Sequence, residues 1–351
     1  MGAGVGLSIH RSKPVFWLLL GGLLLLAAVA SLGIGRFAVS LDKVAGLLGS
    51  RLVSLWTTVD PYWSETDARV VELIRLPRIL MAVVTGGGLA LAGASLQGVF
   101  RNPLVGPQII GVSSGASFGG VLAILLYESQ AATLGLAFVF GLVAMGIVYL
   151  TGRVNGSAPV LMLVLAGVIT SAFFAALVSL IKYTADPYDK LPAIVFWLMG
   201  SLAAVTYQKV LWGCLPVLAA GFVLYRLRFR INVLSLGDEE AASLGIRVEP
   251  TRWAVLVCTT LITASLVAVC GVIGWVGLVV PHMARMLVGP DHRLLLPAAA
   301  LIGGAYLVVI DDLARALTPA EIPIGILTAV VGAPVFGLLL KRTQGKGWLH
   351  A

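Results

Sequence analysis

The sequence predicts an all-α polytopic membrane protein, and three observations carry that class. Its 351 residues are 59% hydrophobic and 11% charged, with a mean hydropathy of +1.01. Soluble domains carry about 25% charged residues, so too little charge exists here to coat a water-facing surface. Apolar runs of about 20 residues, long enough to cross a bilayer as a helix, recur along the chain. Between two of them lies a polar, proline-broken, glycine-rich segment from Arg101 to Ala116. Lipid offers unpaired backbone groups no partner, so irregular chain there must be buried in protein or face a water-filled path. A path across the membrane is therefore the first functional expectation.

Reading runs and breakers in order gives ten transmembrane helices within a single domain, 1–351. The first, 14–34, follows His10-Arg11-Ser12-Lys13 and mimics a secretory signal. It is too long for a signal core and no small-residue cleavage site follows, so it counts as a span. The others are 76–99, 109–127, 131–151, 159–181, one crossing within 192–226, 253–272, 274–288, 294–311 and 322–341. Gly86-Gly87-Gly88, Gly93-Ala94 and Gly303-Gly304 supply the small surfaces that let membrane helices approach closely. Cys214, Cys258 and Cys270 lie in apolar runs, at no metal-ligand spacing, and read as small core hydrophobes.

With ten spans both termini share a side, and 14 of the 24 Lys and Arg fall there, mostly in short loops. That makes the terminal side cytoplasmic and explains the net charge of +8 as membrane topology rather than nucleic-acid binding. Residues 35–75 then form an excursion on the outer side, ending in the amphipathic stretch Val70 to Arg75. The largest cytoplasmic loop, 229–252, contains Gly237-Asp238-Glu239-Glu240-Ala241-Ala242-Ser243-Leu244-Gly245. Its acids fit the first turn of a short helix and Gly245 its C-terminal cap. A helix that short is marginal alone in water, so it is either a solvated loop helix or an element that docks on something.

No Asp, Glu, Lys or Arg falls well inside any expected span, which argues against a proton- or sodium-driven carrier, because such carriers keep one where it works. No phosphate-binding G-x-x-x-x-G-K-[ST] loop occurs, since Gly345-Lys346-Gly347 lacks the upstream glycine and the hydroxyl residue. ATP with Mg would therefore act on a partner subunit, and this chain is expected to hold no metal and no cofactor. Gly111-Val112-Ser113-Ser114-Gly115 matches G-x-S-x-G, and with His282 it suggests an intramembrane serine hydrolase. That motif needs a strand before the serine and an acid behind the histidine, and neither is evident.

Several motifs resemble the iron-siderophore, haem and cobalamin permease family of type II ABC importers. They are Arg75-Leu76-Pro77-Arg78, the run from Gly93 to Leu104, Gly111 to Ala116, Gly277 to His282, Asp311 to Arg315, Ile322 to Gly325 and Gly332 to Phe336. The resemblance spans about residues 70–342 and implies a homodimeric, ten-helix permease of the inner membrane. It implies two ATPase subunits bound inside and a periplasmic binding protein docked outside. By the same resemblance, Gly237, Asp238, Glu239, Glu240, Ala241, Leu244 and Gly245 couple to the ATPase. Asn102, Pro103, Leu104 and, less well matched, Ser157 form the cytoplasmic gate. Arg75, Arg78 and Arg315 would meet the binding protein; snorkelling by Arg75 and pairing of Arg315 with Asp311 or Asp312 are the alternatives. His282 is either a packing position or a haem ligand. Haem is the expected cargo, with a ferric siderophore or cobalamin as the alternative.

Overall fold

A computed structural model describes residues 14–53, 62–153 and 158–343 of the chain. Ser157 lies outside them. The described residues form helices and their connections, with no strand among them. Seven helices are long and apolar enough to cross a membrane. They are α1 (Pro14–Gly33), a continuous helix Glu65–Val99, α6 (Gln130–Thr151), α7 (Val160–Thr184), α9 (Tyr207–Leu234), α11 (Val248–Cys270) and α13 (His292–Ala316). Three further apolar helices are α5 (Val112–Tyr127), α12 (Val276–Val288) and α14 (Ile324–Thr343), the last apolar over Ile324–Leu339. Each expected span therefore meets an apolar helix, although several boundaries move.

The largest change is at the second span, whose helix begins at Glu65 rather than at residue 76. It starts as α3 (Glu65–Arg69), widens into a π-helical turn over Val70–Arg75 and continues as α4 (Leu76–Val99). Ser64 and Asp67 cap it reciprocally, each side chain accepting the other's backbone N–H. The stretch before that helix is thus shorter than expected and, among the described residues, holds the amphipathic α2 (Leu41–Val53). Within 192–226 the single crossing is α9, preceded by the short α8 (Lys190–Leu198). At 28 residues α9 is about 42 Å long, beyond a hydrocarbon core of about 30 Å. Its end carries Arg226, Arg228 and Arg230, so the helix runs past residue 229 and the following loop is only 235–247. That loop holds α10 (Asp238–Ser243).

Small residues decide which helices lie at the centre. Helices α4 and α13 approach so closely that a Cβ on Gly86 would sit 2.0 Å from the Gly303 carbonyl oxygen. A Cβ on Gly119 would likewise sit 2.2 Å from the Leu136 carbonyl, which fixes α5 against α6. Around α4 pack α9, α11, α12 and α13, while α1 covers the outside of α13. Large apolar side chains such as Leu161, Ile169 and Phe173 remain exposed on α7, as a lipid-facing or partner-facing surface requires.

Candidate translocation path and coupling surface

Helix α4 ends at Val99, and the chain turns through Arg101, which takes a positive φ of 51°. Asn102 closes the turn: its side-chain oxygen accepts the Leu104 N–H at 2.9 Å and its carbonyl the Val105 N–H at 3.2 Å. Arg101, Asn102 and Leu104 are exposed, whereas Val105, Gly106 and Pro107 are buried. The expected gate residues Asn102, Pro103 and Leu104 thus form one tight turn at the end of α4.

Beyond that turn the chain runs back into the protein. Pro107 lies against Gly277, where a Cβ would sit 2.6 Å from the proline ring and 2.9 Å from the Leu89 carbonyl, midway along α4. On the other side a Cβ on Gly167 of α7 would sit 2.2 Å from the Ile109 carbonyl. The segment is therefore walled by helices, as irregular backbone at that depth must be. A second irregular segment, 271–275, faces it from the end of α11. The two border a partly open cavity of about 250 Å³ lined by Thr85, Leu89, Gln108, Ser113 and Trp275 among others. No ionisable side chain lines it.

The short acidic helix forms where expected. Three acids open α10, and Gly245 (φ 79°) closes it, with Ile246 N–H donating to the Ala241 carbonyl at 2.9 Å. Ala241 is buried against the protein, whereas Leu236 and Leu244 are each 62% exposed and Glu239 and Glu240 face outward. Exposed leucines beside acids are what a docking helix offers. Arg252 of α11, only 1% exposed, ties α10 down. Its guanidinium donates to both Asp238 carboxylate oxygens at 2.7 Å, to Glu249 at 2.8 Å and to the Ala158 carbonyl at 2.9 Å. Glu249 in turn accepts the Ala158 N–H at 3.2 Å. Ala158 leads into α7, so α10 is bridged to the start of that helix. On the other side the Arg101 guanidinium lies beside Gly237.

The three arginines expected to meet an outside partner point inward. Arg75, turned by the π-helical segment, donates to the carbonyls of Leu32 and Phe37 in the space that Gly35 leaves open. Arg78 binds Asp311 through Nε at 2.9 Å and Glu321 through Nη1 at 2.9 Å. Arg315 pairs with Asp312 and donates to the Ser31 carbonyl at 2.9 Å. All three are buried. Of the two readings of Arg315, internal pairing is the one the geometry displays, and these groups lock α1, α4 and α13 together at one end.

The hydrolase constellation does not assemble. Ser113 opens α5 without a preceding strand, and its hydroxyl bonds neither His282 nor any acid. His282 packs edge-on against Phe336 at 5.9 Å, which fits a packing position.

The sequence profile of the FecCD transport family matches residues 23–342. The chain belongs to the FecCD transport family. FecCD proteins of this kind are permease subunits of ABC importers. The chain is 45% identical to the molybdate import system permease protein MolB of Haemophilus influenzae, over 93% of this chain and 95% of that one. It is 38% identical to the hemin transport system permease protein HmuU of Yersinia pestis, over 93% and 96%. A solved structure described as an inward-facing metal-chelate type ABC transporter superposes with a TM-score of 0.84 at 44% identity, covering 94% of this chain and all of that one.

For this FecCD permease, sequence reasoning missed Arg252, Gln108 and Trp275. Arg252 looked like one more basic residue at a span end. Only its spacing from Glu249, three residues back on a helix, hinted at an ion pair.

Proposed function

We propose that this FecCD permease is the membrane half of an ATP-driven importer that works as a homodimer with ten crossings per subunit. Two ATPase subunits carrying ATP–Mg engage Leu236, Leu244 and the acids of α10 from the cytoplasm. A periplasmic binding protein delivers the cargo at the opposite face of the bacterial inner membrane. The distribution of Lys and Arg supports cytoplasmic termini. One observation carries the reading: Arg252 joins α10 to the start of α7, while Arg101 of the gate turn lies beside Gly237. Motion imposed on α10 therefore reaches both the 101–104 turn and α7. The inward-facing arginines at the other end leave the binding protein's contacts to exposed groups around them.

For the cargo, a compact metal oxyanion of the molybdate class is the reading best supported. The likeness to MolB, at 45% identity, is nearly full-length. Haem, the expectation from sequence, is the second reading and draws on the likeness to HmuU. The test is uptake by the permease, reconstituted in liposomes with its ATPase and binding protein. ATP-dependent accumulation of molybdate and not haem is expected. Replacing Glu239 and Glu240 by arginine should abolish uptake and weaken ATPase association. Full uptake by that double variant would defeat the coupling assignment.

A further inference from the structure

We infer that the cavity between residues 105–111 and 271–275 is a transit site for a tetrahedral oxyanion, held by Ser113, Gln108, the first-turn N–H groups of α5 and the Gly277 N–H of α12. The inference rests on the oxyanion reading of the cargo. Both helices begin at this cavity, and at 16 and 13 residues each is long enough to present a positive end to it. Gly111 and Trp275, the residues that open them, take positive φ of 81° and 65° and place no capping side chain over the first turn. The N–H groups of Val112, Ser113, Ser114 and Gly277 accordingly donate to no described group. Ser113 is 7% exposed and lines the cavity, and its hydroxyl also makes no hydrogen bond to any described residue. An unbonded hydroxyl lining the cavity, beside the start of α5 and the Gly277 N–H of α12, is a donor set awaiting an acceptor.

The Gln108 amide adds a neutral donor at the rim, facing Gly274. A Cβ on Gly274 would sit 2.8 Å from that amide nitrogen, which places the two side by side. With no lysine or arginine lining the cavity, an anion is met by dipoles alone. Such a site discriminates by charge and size yet releases readily, which suits a pathway more than a store. Interrupted helices whose N-terminal ends meet mid-protein around an anionic substrate are a recurrent solution in transporters.

The test uses the full complex in lipid nanodiscs, with Cys214, Cys258 and Cys270 replaced by alanine and Ser113→Cys introduced. A sulfonate-bearing thiosulfonate reagent should label the new thiol, and molybdate should slow labelling by about tenfold or more, where equimolar chloride does not. Gln108→Leu in the same background should remove most of that protection. Absence of labelling both with and without ATP, or labelling indifferent to molybdate, overturns the site. Uptake measured in parallel on the otherwise wild-type complex separates the two readings. Molybdate uptake without protection sinks the site and leaves the cargo standing; protection in a complex that imports only haem sinks the cargo and leaves an anion site. Gln108→Leu alone, kept with native cysteines, should cut molybdate uptake while ATPase stimulation by the binding protein persists.

Discussion

Replacing Arg252 by methionine removes the one side chain that joins α10, Glu249 and the start of α7. Hydrogen bonds to charged partners contribute about 1.5–3 kcal/mol each, and removing one member of a buried ion pair costs about 3–5 kcal/mol. Asp238 and Glu249 are 43% and 34% exposed, so water re-solvates them once the guanidinium is gone. A net loss near the lower end, about 2 kcal/mol of docking for α10, follows from that screening. At 1.36 kcal/mol per factor of ten, α10 should undock about 30-fold more often. The assay is hydrogen exchange at the Ala241 and Ile246 amides, both bonded in the docked arrangement. Exchange there should accelerate by that factor while the amides of α4 and α13 stay protected. In liposomes the same variant should keep basal ATPase activity but lose uptake per ATP. Arg252→Lys should recover little, because an ammonium cannot bridge Asp238 bidentately and reach Ala158 together. Unchanged exchange at α10 with wild-type uptake per ATP would refute the bridge as a transmission element.

Three other outcomes are expected. Leu244→Asp, and Leu236→Asp to a similar degree, should weaken ATPase association by about tenfold or more without lowering thermal stability, since each removes an exposed apolar anchor; pull-down and a melting curve in detergent check this. Gly86→Ala should destabilise by about 1–3 kcal/mol, because the new methyl meets the Gly303 backbone, which cannot move aside. Gly135→Ala on α6, with nothing within 4 Å, is the control and should leave the melting temperature unchanged. Arg78→Leu should cost about 3 kcal/mol by leaving buried Asp311 with only its longer contact to Arg315 at 3.5 Å, and Arg78→Leu with Asp311→Leu should regain part of it, read from the same melting curves. A stable Arg78→Leu single variant with lost binding-protein affinity would instead restore the docking role expected from sequence.

Local features were legible where the cause is local. The turn at Asn102-Pro103 is written in residues that hydrogen-bond their own backbone or lack an N–H, and α10 in its acids and closing glycine. Helix boundaries slipped at Glu65 and at Leu234 because polar residues in end turns look like loop, yet they continue a helix whose apolar face is buried elsewhere. The burial of the arginines was hidden for a related reason. Arg78 lies 233 residues from Asp311, and nothing in their neighbourhoods announces the pairing. From sequence a guanidinium at a span end reads as surface, whereas here three of them fasten helix ends from inside.

Composition and the spacing of apolar runs by themselves determined that this chain is a helical bundle for lipid, broken by one buried loop. They do so because burying backbone polar groups in hydrocarbon leaves few solutions, and those solutions leave their period in the residues. Which groups meet inside the bundle was decided only by its tertiary packing. The open ends of α5 and α12 share a cavity, and Arg252 reaches both α10 and Ala158, because glycines let distant helices close to contact. Such meetings are set by three-dimensional approach between segments far apart in the chain, and a linear order of residues carries no local trace of them.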